Sequence, residues 1–147
     1  MKIIGCGLIL IASLVCAFYY EKRIKEKIAR YSELISFISY IKNQIEYFSY
    51  PINEIFERYQ PCSPFISSII ENNVDTKYLT SEEKAQINEF VASLGKGYKK
   101  EQIALCDYSI GFFNVSLEKT KYEAPNKIKV FRSMSLFVGI CSIILLV

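Results

Sequence analysis

Two uncharged, largely apolar runs lie at the ends of the chain: Ile3 to Tyr20, eighteen residues, and Ser133 to Val147, fifteen. Nothing else in the sequence constrains the fold as strongly, because surface of this kind must be covered by protein or by lipid. At the helical rise, eighteen residues extend roughly 27 Å, close to the ~30 Å of a bilayer's hydrocarbon layer. Fifteen residues reach only about 22 Å on the same arithmetic. The second run spans if Val130 and Phe131 join it and Arg132 snorkels to the interface; a half-inserted helix is the alternative.

The expected organisation is therefore a membrane helix over residues 1–20, a helical body over 21–132 and a membrane segment over 133–147. Charge placement sets the orientation. Residues 21–30 carry five basic groups against Glu21 and Glu26, and residues 119–132 carry five against Glu123. Residues 31–118 hold seven basic and twelve acidic side chains. Basic collars beside both apolar runs hold the body on the cytosolic side of the cell membrane. A nucleic-acid partner would require the basic residues on the body itself, so none is expected. A cleavable export signal would carry its charge before the apolar run, where this chain has only Lys2. The five cysteines have neither the spacing of a disulfide framework nor that of a zinc site.

Within the body, Leu34, Ile38, Ile41, Ile45, Phe48, Ile52, Ile55 and Tyr59 alternate in steps of four and three, the period of a buried helix face. With no Gly or Pro between Gly7 and Pro51, the first membrane helix is expected to continue into the body. The stripe fits an intramolecular bundle or a homodimeric coiled coil; Pro51 interrupts it and favours the bundle. Pro51 is placed at the first turn of a second helix reaching Gln60, which Pro61-Cys62-Ser63-Pro64 stops. Phe65 to Glu71 reads as a short helix ending at Asn72-Asn73. Thr80-Ser81-Glu82-Glu83 is a capping box, opening a helix that buries Ile87, Phe90, Val91 and Leu94 and ends at Gly95-Lys96-Gly97. A last helix from Lys99 buries Ile103, Cys106, Ile110, Phe113 and Leu117, and Pro125 marks a kink or break after it. The fold class is all-α: a small antiparallel helical bundle flanked by two membrane helices.

The chain has no histidine. That removes His-based nucleophile pairs and the commonest neutral-pH general base. Glu82 and Glu83 are accounted for by the capping box, and Glu54, Glu57 and Arg58 by a solvated helix face. The expectation is a protein with no catalytic, metal or cofactor site. Glu46, Glu54 and Glu57 are the candidate carboxylates for contact with a basic partner, against the plainer reading that they keep the body soluble.

The order of several short segments resembles the stage III sporulation protein AB family of endospore-forming bacteria. They are the N-terminal apolar segment running into a basic helix, Gln44-Ile45-Glu46-Tyr47, Pro51-Ile52-Asn53-Glu54-Ile55-Phe56, Ser63-Pro64-Phe65-Ile66, Phe90 to Gly95 with Gln102, and Tyr122 followed by Arg132-Ser133. Tyr47, Pro51, Gly95, Gln102 and Arg132 are the positions that carry the match. The resemblance implies a helical domain similar to the cytoplasmic domain of type II secretion F platform proteins. It also implies membership of a channel complex in the mother-cell membrane, with further stage III sporulation proteins and a cytosolic ATPase as partners. The sequence departs from the family's pattern between Phe65 and Thr80, where family members usually have another helix-sized stretch, and at Pro125, where the family generally continues a charged helix. Two other readings stay open: an exported, membrane-tethered binding module, and a homodimeric coiled-coil regulator.

Overall fold

The stripe on the first helix decides the layout. In the computed structural model, backbone is described for residues 2–48, 50–59, 63–71, 73 and 78–146, and side chains for these except 2–10, 143, 145 and 146. Ser49, Gln60, Pro61, Cys62, Asn72 and the early Cys6 thus lie outside the described residues or side chains. The elements are α1 (Lys2–Asn43), a π-helical turn (Gln44–Phe48), α2 (Ile52–Arg58), α3 (Pro64–Ile70), α4 (Ser81–Ser93) and α5 (Lys99–Leu146). Among the described residues there is no strand. The chain divides into two compact units: Lys27–Glu118, and the pair Met1–Glu26 with Lys119–Val147.

In the first unit, Tyr31, Leu34, Phe37, Ile38, Ile41 and Ile45 of α1 are buried against the rest of the same chain. The bundle reading of the stripe holds, since a coiled-coil partner would need the same side chains. Tyr31 lies against Phe113 with ring centroids 6.4 Å apart, and Lys42 reaches Asp107 at 2.7 Å. Residue numbers rise on α1 as they fall on α5, so the two helices are antiparallel. Helices α2 and α3 together form the return leg along α1. Phe37 meets Phe56 and Tyr59 at 6.1 and 4.9 Å, Ser63 donates to Glu33 at 2.7 Å, and the Arg30 guanidinium lies 4.9 Å from the Phe65 ring. Helix α4 starts at the level of Tyr31, with Glu83, and ends near Ile45, with Leu94. The result is an up-down-up-down bundle with a two-piece second leg, which buries apolar surface on every helix.

The caps follow local chemistry. Thr80 Oγ1 accepts from Glu83 N–H at 3.3 Å, and the Glu83 carboxylate accepts from Thr80 N–H at 2.8 Å, completing the expected capping box. Pro51 is the cap residue of α2, one position before the expected first turn, and α2 ends at Arg58 short of Gln60. Of the kink or break expected at Pro125, the break does not occur: α5 runs through it to Leu146. A proline within a helix removes the bond to one carbonyl four residues back, and a long helix can absorb that loss.

Two residues of α5 offer simple stability tests. Among the described residues, Ser109 Oγ is buried without a hydrogen-bond partner. Ser109→Ala should raise stability by about 1 kcal/mol, read as a shifted thermal midpoint, because it removes a hydroxyl desolvated for no return. Gly111 is exposed, with nothing within 4 Å of where a Cβ would stand. Gly111→Ala should add about 0.5–1 kcal/mol through the lower backbone entropy of the unfolded chain. Cys106 is a free thiol inside the core, and burial pushes its pKa up to about 11.

The second unit has the opposite surface. Tyr20 and Phe131 stack at 4.2 Å between its two helices. Gly139 is buried, and Ser13, Ala17, Ser135 and Ser142 are half-buried. The large apolar side chains Ile11, Val15, Phe18, Met134, Phe137, Val138 and Ile144 are exposed. Among the described residues, no helix is long and apolar enough to cross a membrane. The first half of the N-terminal apolar run, residues 3–10, lies outside the described side chains.

Candidate interaction site

Four chain segments meet around a cleft of about 630 Å³ in the bundle unit: the π-helical turn with Tyr50, the start of α2, the end of α4 and the start of α5. Three of the five positions singled out in the sequence, Pro51, Gly95 and Gln102, line it. The apolar wall is Ile45, Ile52, Phe56, Val91 and Leu94.

Each wall has a local cause. The π-helical turn adds one residue to the helical period at the end of α1, and beyond Ile45 it leaves Tyr47 and Phe48 at 73% and 60% exposure. Pro51 then sets an extended backbone, φ −64° and ψ 146°, and its carbonyl accepts from Ile55 N–H at 3.1 Å, starting α2. At the opposite wall Gly95 sits at φ +80°, and a Cβ there would stand 3.2 Å from Ile52 Cγ1. Glycine is required twice over: for the left-handed backbone and for the close approach of α2.

Gln102 ties this turn together. Its Oε1 accepts from Gly95 N–H at 2.9 Å, while its Nε2 donates to the carbonyls of Ser93, at 3.3 Å, and of Lys96. One buried amide thus satisfies three backbone groups left over where α4 ends. Glu101, one residue earlier, accepts from Tyr98 N–H at 3.0 Å and caps α5.

The three sequence-selected glutamates are not a bare acidic patch. Glu46 is exposed, and its backbone carbonyl accepts from Lys99 Nζ at 2.7 Å. Glu54 accepts from Arg58 at 2.7 Å; that bond is the main cause raising the arginine's pKa, and the guanidinium also lies 4.3 Å over the Tyr50 ring. Glu57 is exposed on α2. Tyr47 is exposed and is not part of the cleft wall. Arg132 belongs to the other unit, where Glu21 has a lowered pKa, caused first by its bond with Lys25 and in smaller part by the charge of Arg132.

Sequence reasoning missed the apolar lining. Of the stripe residues, Ile52 packs against the core and also forms the cleft wall, whereas Phe48, expected on the buried face, is exposed. Glu83 was accounted for by its cap and is buried as well, accepting a hydrogen bond from Tyr31 Oη and lying 3.4 Å from Lys27 Nζ. Among the described residues no three His, Cys, Asp or Glu side chains are grouped to hold a metal ion. The cleft has the character of a binding surface: apolar walls, an ordered backbone turn and exposed aromatic side chains close by in sequence.

The model of the stage III sporulation protein AB family matches the chain over residues 2–72 and again over residues 63–147. The two matched segments overlap at residues 63–72. No curated protein and no solved structure matches the chain.

Proposed function

This chain belongs to the stage III sporulation protein AB family and so acts in sporulation; from that premise we propose that it is a membrane-anchored, non-catalytic platform subunit of a secretion-like channel. Its bundle docks partner proteins on the cytosolic side of the mother-cell membrane, among them a cytosolic ATPase. The observation that carries this reading is the convergence of Pro51, Gly95 and Gln102 on one cleft with an apolar wall. Residues far apart in the chain come together there to shape one concavity at the edge of the core.

The anchoring rests on the two terminal apolar runs and on the surface of their unit. Small residues face inward while Phe18, Phe137 and Ile144, each 70% exposed or more, face out. That order suits helices packed closely through small side chains with lipid around them, and it is costly in water. A reporter fused after Tyr122 should be active in the cytosol; activity outside the membrane would sink the orientation and favour an exported module. For the cleft, Asn53→Glu with Lys99→Glu, both exposed at its rim, should abolish co-purification of channel partners from sporulating cells while leaving the far-UV spectrum and thermal midpoint nearly unchanged. Unchanged co-purification would remove the cleft from the docking surface.

A further inference from the structure

The basic collars do not behave as two equal blocks. On α1, Lys27 pairs with Glu83, and the Arg30 guanidinium lies over the rings of Phe65 and Tyr78 at 4.9 and 5.2 Å. These two cations belong to the bundle unit. Lys22, Arg23 and Lys25 belong to the other unit and are exposed. On α5 the matching residues are Lys127, Lys129 and Arg132, also exposed.

The Tyr20–Phe131 stack fixes the level of one set against the other. Lys25 lies five residues beyond Tyr20, and Lys127 four residues before Phe131, so all six cations fall within about 8 Å of axial rise from that stack. They meet Glu21, Glu26 and Glu123, which pair with Lys25, Lys22 and Lys127 along their own helices. Those are exposed i,i+4 pairs, which hold charge only weakly. The belt keeps a net positive charge, and the exposed apolar side chains begin directly beside it, at Tyr19 and Phe18 on one helix and at Met134 and Phe137 on the other.

We propose that this two-helix belt, centred on the Tyr20–Phe131 stack, is a binding site for the headgroups of anionic phospholipids. The inference rests on the bilayer reading given above. The occupant follows from charge complementarity and from continuity: a ligand that satisfies the belt must be anionic and must also border apolar chains. A phospholipid headgroup meets both conditions. The stacked aromatic pair sits at the depth where aromatic side chains collect at membrane interfaces.

The test uses the full chain in a mild detergent, offered equal amounts of phosphatidylglycerol and phosphatidylcholine with the same acyl chains. Retained lipid is read by native mass spectrometry. Phosphatidylglycerol should be retained over phosphatidylcholine by about fivefold, the selectivity of roughly one cation near a charged surface. The preference should shrink as salt is raised. Arg23→Gln with Lys129→Gln and Arg132→Gln should bring it close to unity. Equal retention of both lipids by the natural chain, or a preference indifferent to salt, overturns the proposal without any variant having to fold. Loss of bound phosphatidylglycerol on adding inorganic phosphate, beyond that caused by chloride at the same ionic strength, overturns the lipid as occupant in favour of a free anion. Flotation with vesicles of phosphatidylcholine alone separates the two claims. A chain that enters them but shows no headgroup preference defeats the belt only, whereas a chain that enters no vesicle defeats the bilayer reading as well.

Discussion

Replacing Glu83 by alanine should lower stability by about 3 kcal/mol, measured as the thermal midpoint of the full chain in detergent. The loss has three parts. Tyr31 Oη and the Thr80 N–H lose their acceptor, and Lys27 loses the carboxylate 3.4 Å away. The other half of the α4 cap survives, because the backbone N–H of residue 83 still donates to Thr80 Oγ1. Glu83→Gln keeps the volume and an acceptor but removes the charge, so it should fall between the natural chain and the alanine variant. Burial raises the Glu83 pKa, but the hydrogen bonds from Tyr31 and Thr80 and the charge of Lys27 outweigh it, leaving it below the ordinary 4.5. A folded-state pKa lower than the unfolded one gives stability that is full above the unfolded value and lost as pH falls through the folded one. The midpoint of the natural chain should therefore drop once pH goes below about 4.5, and that part of the drop should vanish in Glu83→Gln. An identical acid response in both chains would show that Glu83 is not the group responsible.

Gln102→Ala should cost about 2 kcal/mol, since Gly95 N–H and the carbonyls of Ser93 and Lys96 lose their shared partner while water replaces part of what is lost. Gln102→Glu discriminates further. A carboxylate can still accept from Gly95 but offers no proton to the two carbonyls, so it should be no better than alanine. Because the turn forms one wall of the cleft, either variant should also weaken partner co-purification. Full co-purification by a Gln102→Ala chain that still folds would separate the turn's structural role from docking.

The helices were legible because their signals are local. The three- and four-residue spacing from Leu34 to Ile45, the Thr80-to-Glu83 cap and the stop at Gly95 act within one or two turns, and each appears at its expected place. Whether Pro125 ends the helix or sits inside it was not legible for the same local reason: a proline costs one backbone bond, and the sequence does not show how much neighbouring helix stands ready to carry it. The cleft was only partly legible. Pro51, Gly95 and Gln102 stood out as positions in a family pattern, but their meeting depends on a contact between α2 and the end of α4. Sequence spacing does not report contacts between residues more than forty apart. Glu83 shows the limit most sharply, since one carboxylate serves both a local cap and a distant tyrosine, and only the first use has a sequence signature.

The antiparallel pairing of α1 with α5 also has a consequence in time. Tyr31 packs against Phe113, a partner made 82 residues later. At about 5–20 residues per second, the inner face of α1 waits about 4–16 s for the element that covers it. During that interval Tyr31, Leu34, Ile38 and Ile41 are attached to the ribosome with their final neighbours unmade, and only the short α2–α3 leg and then α4 can shelter them. Because α1 is made well before the α5 that completes its cover, the early α2–α3 return gains a second use as a temporary cover.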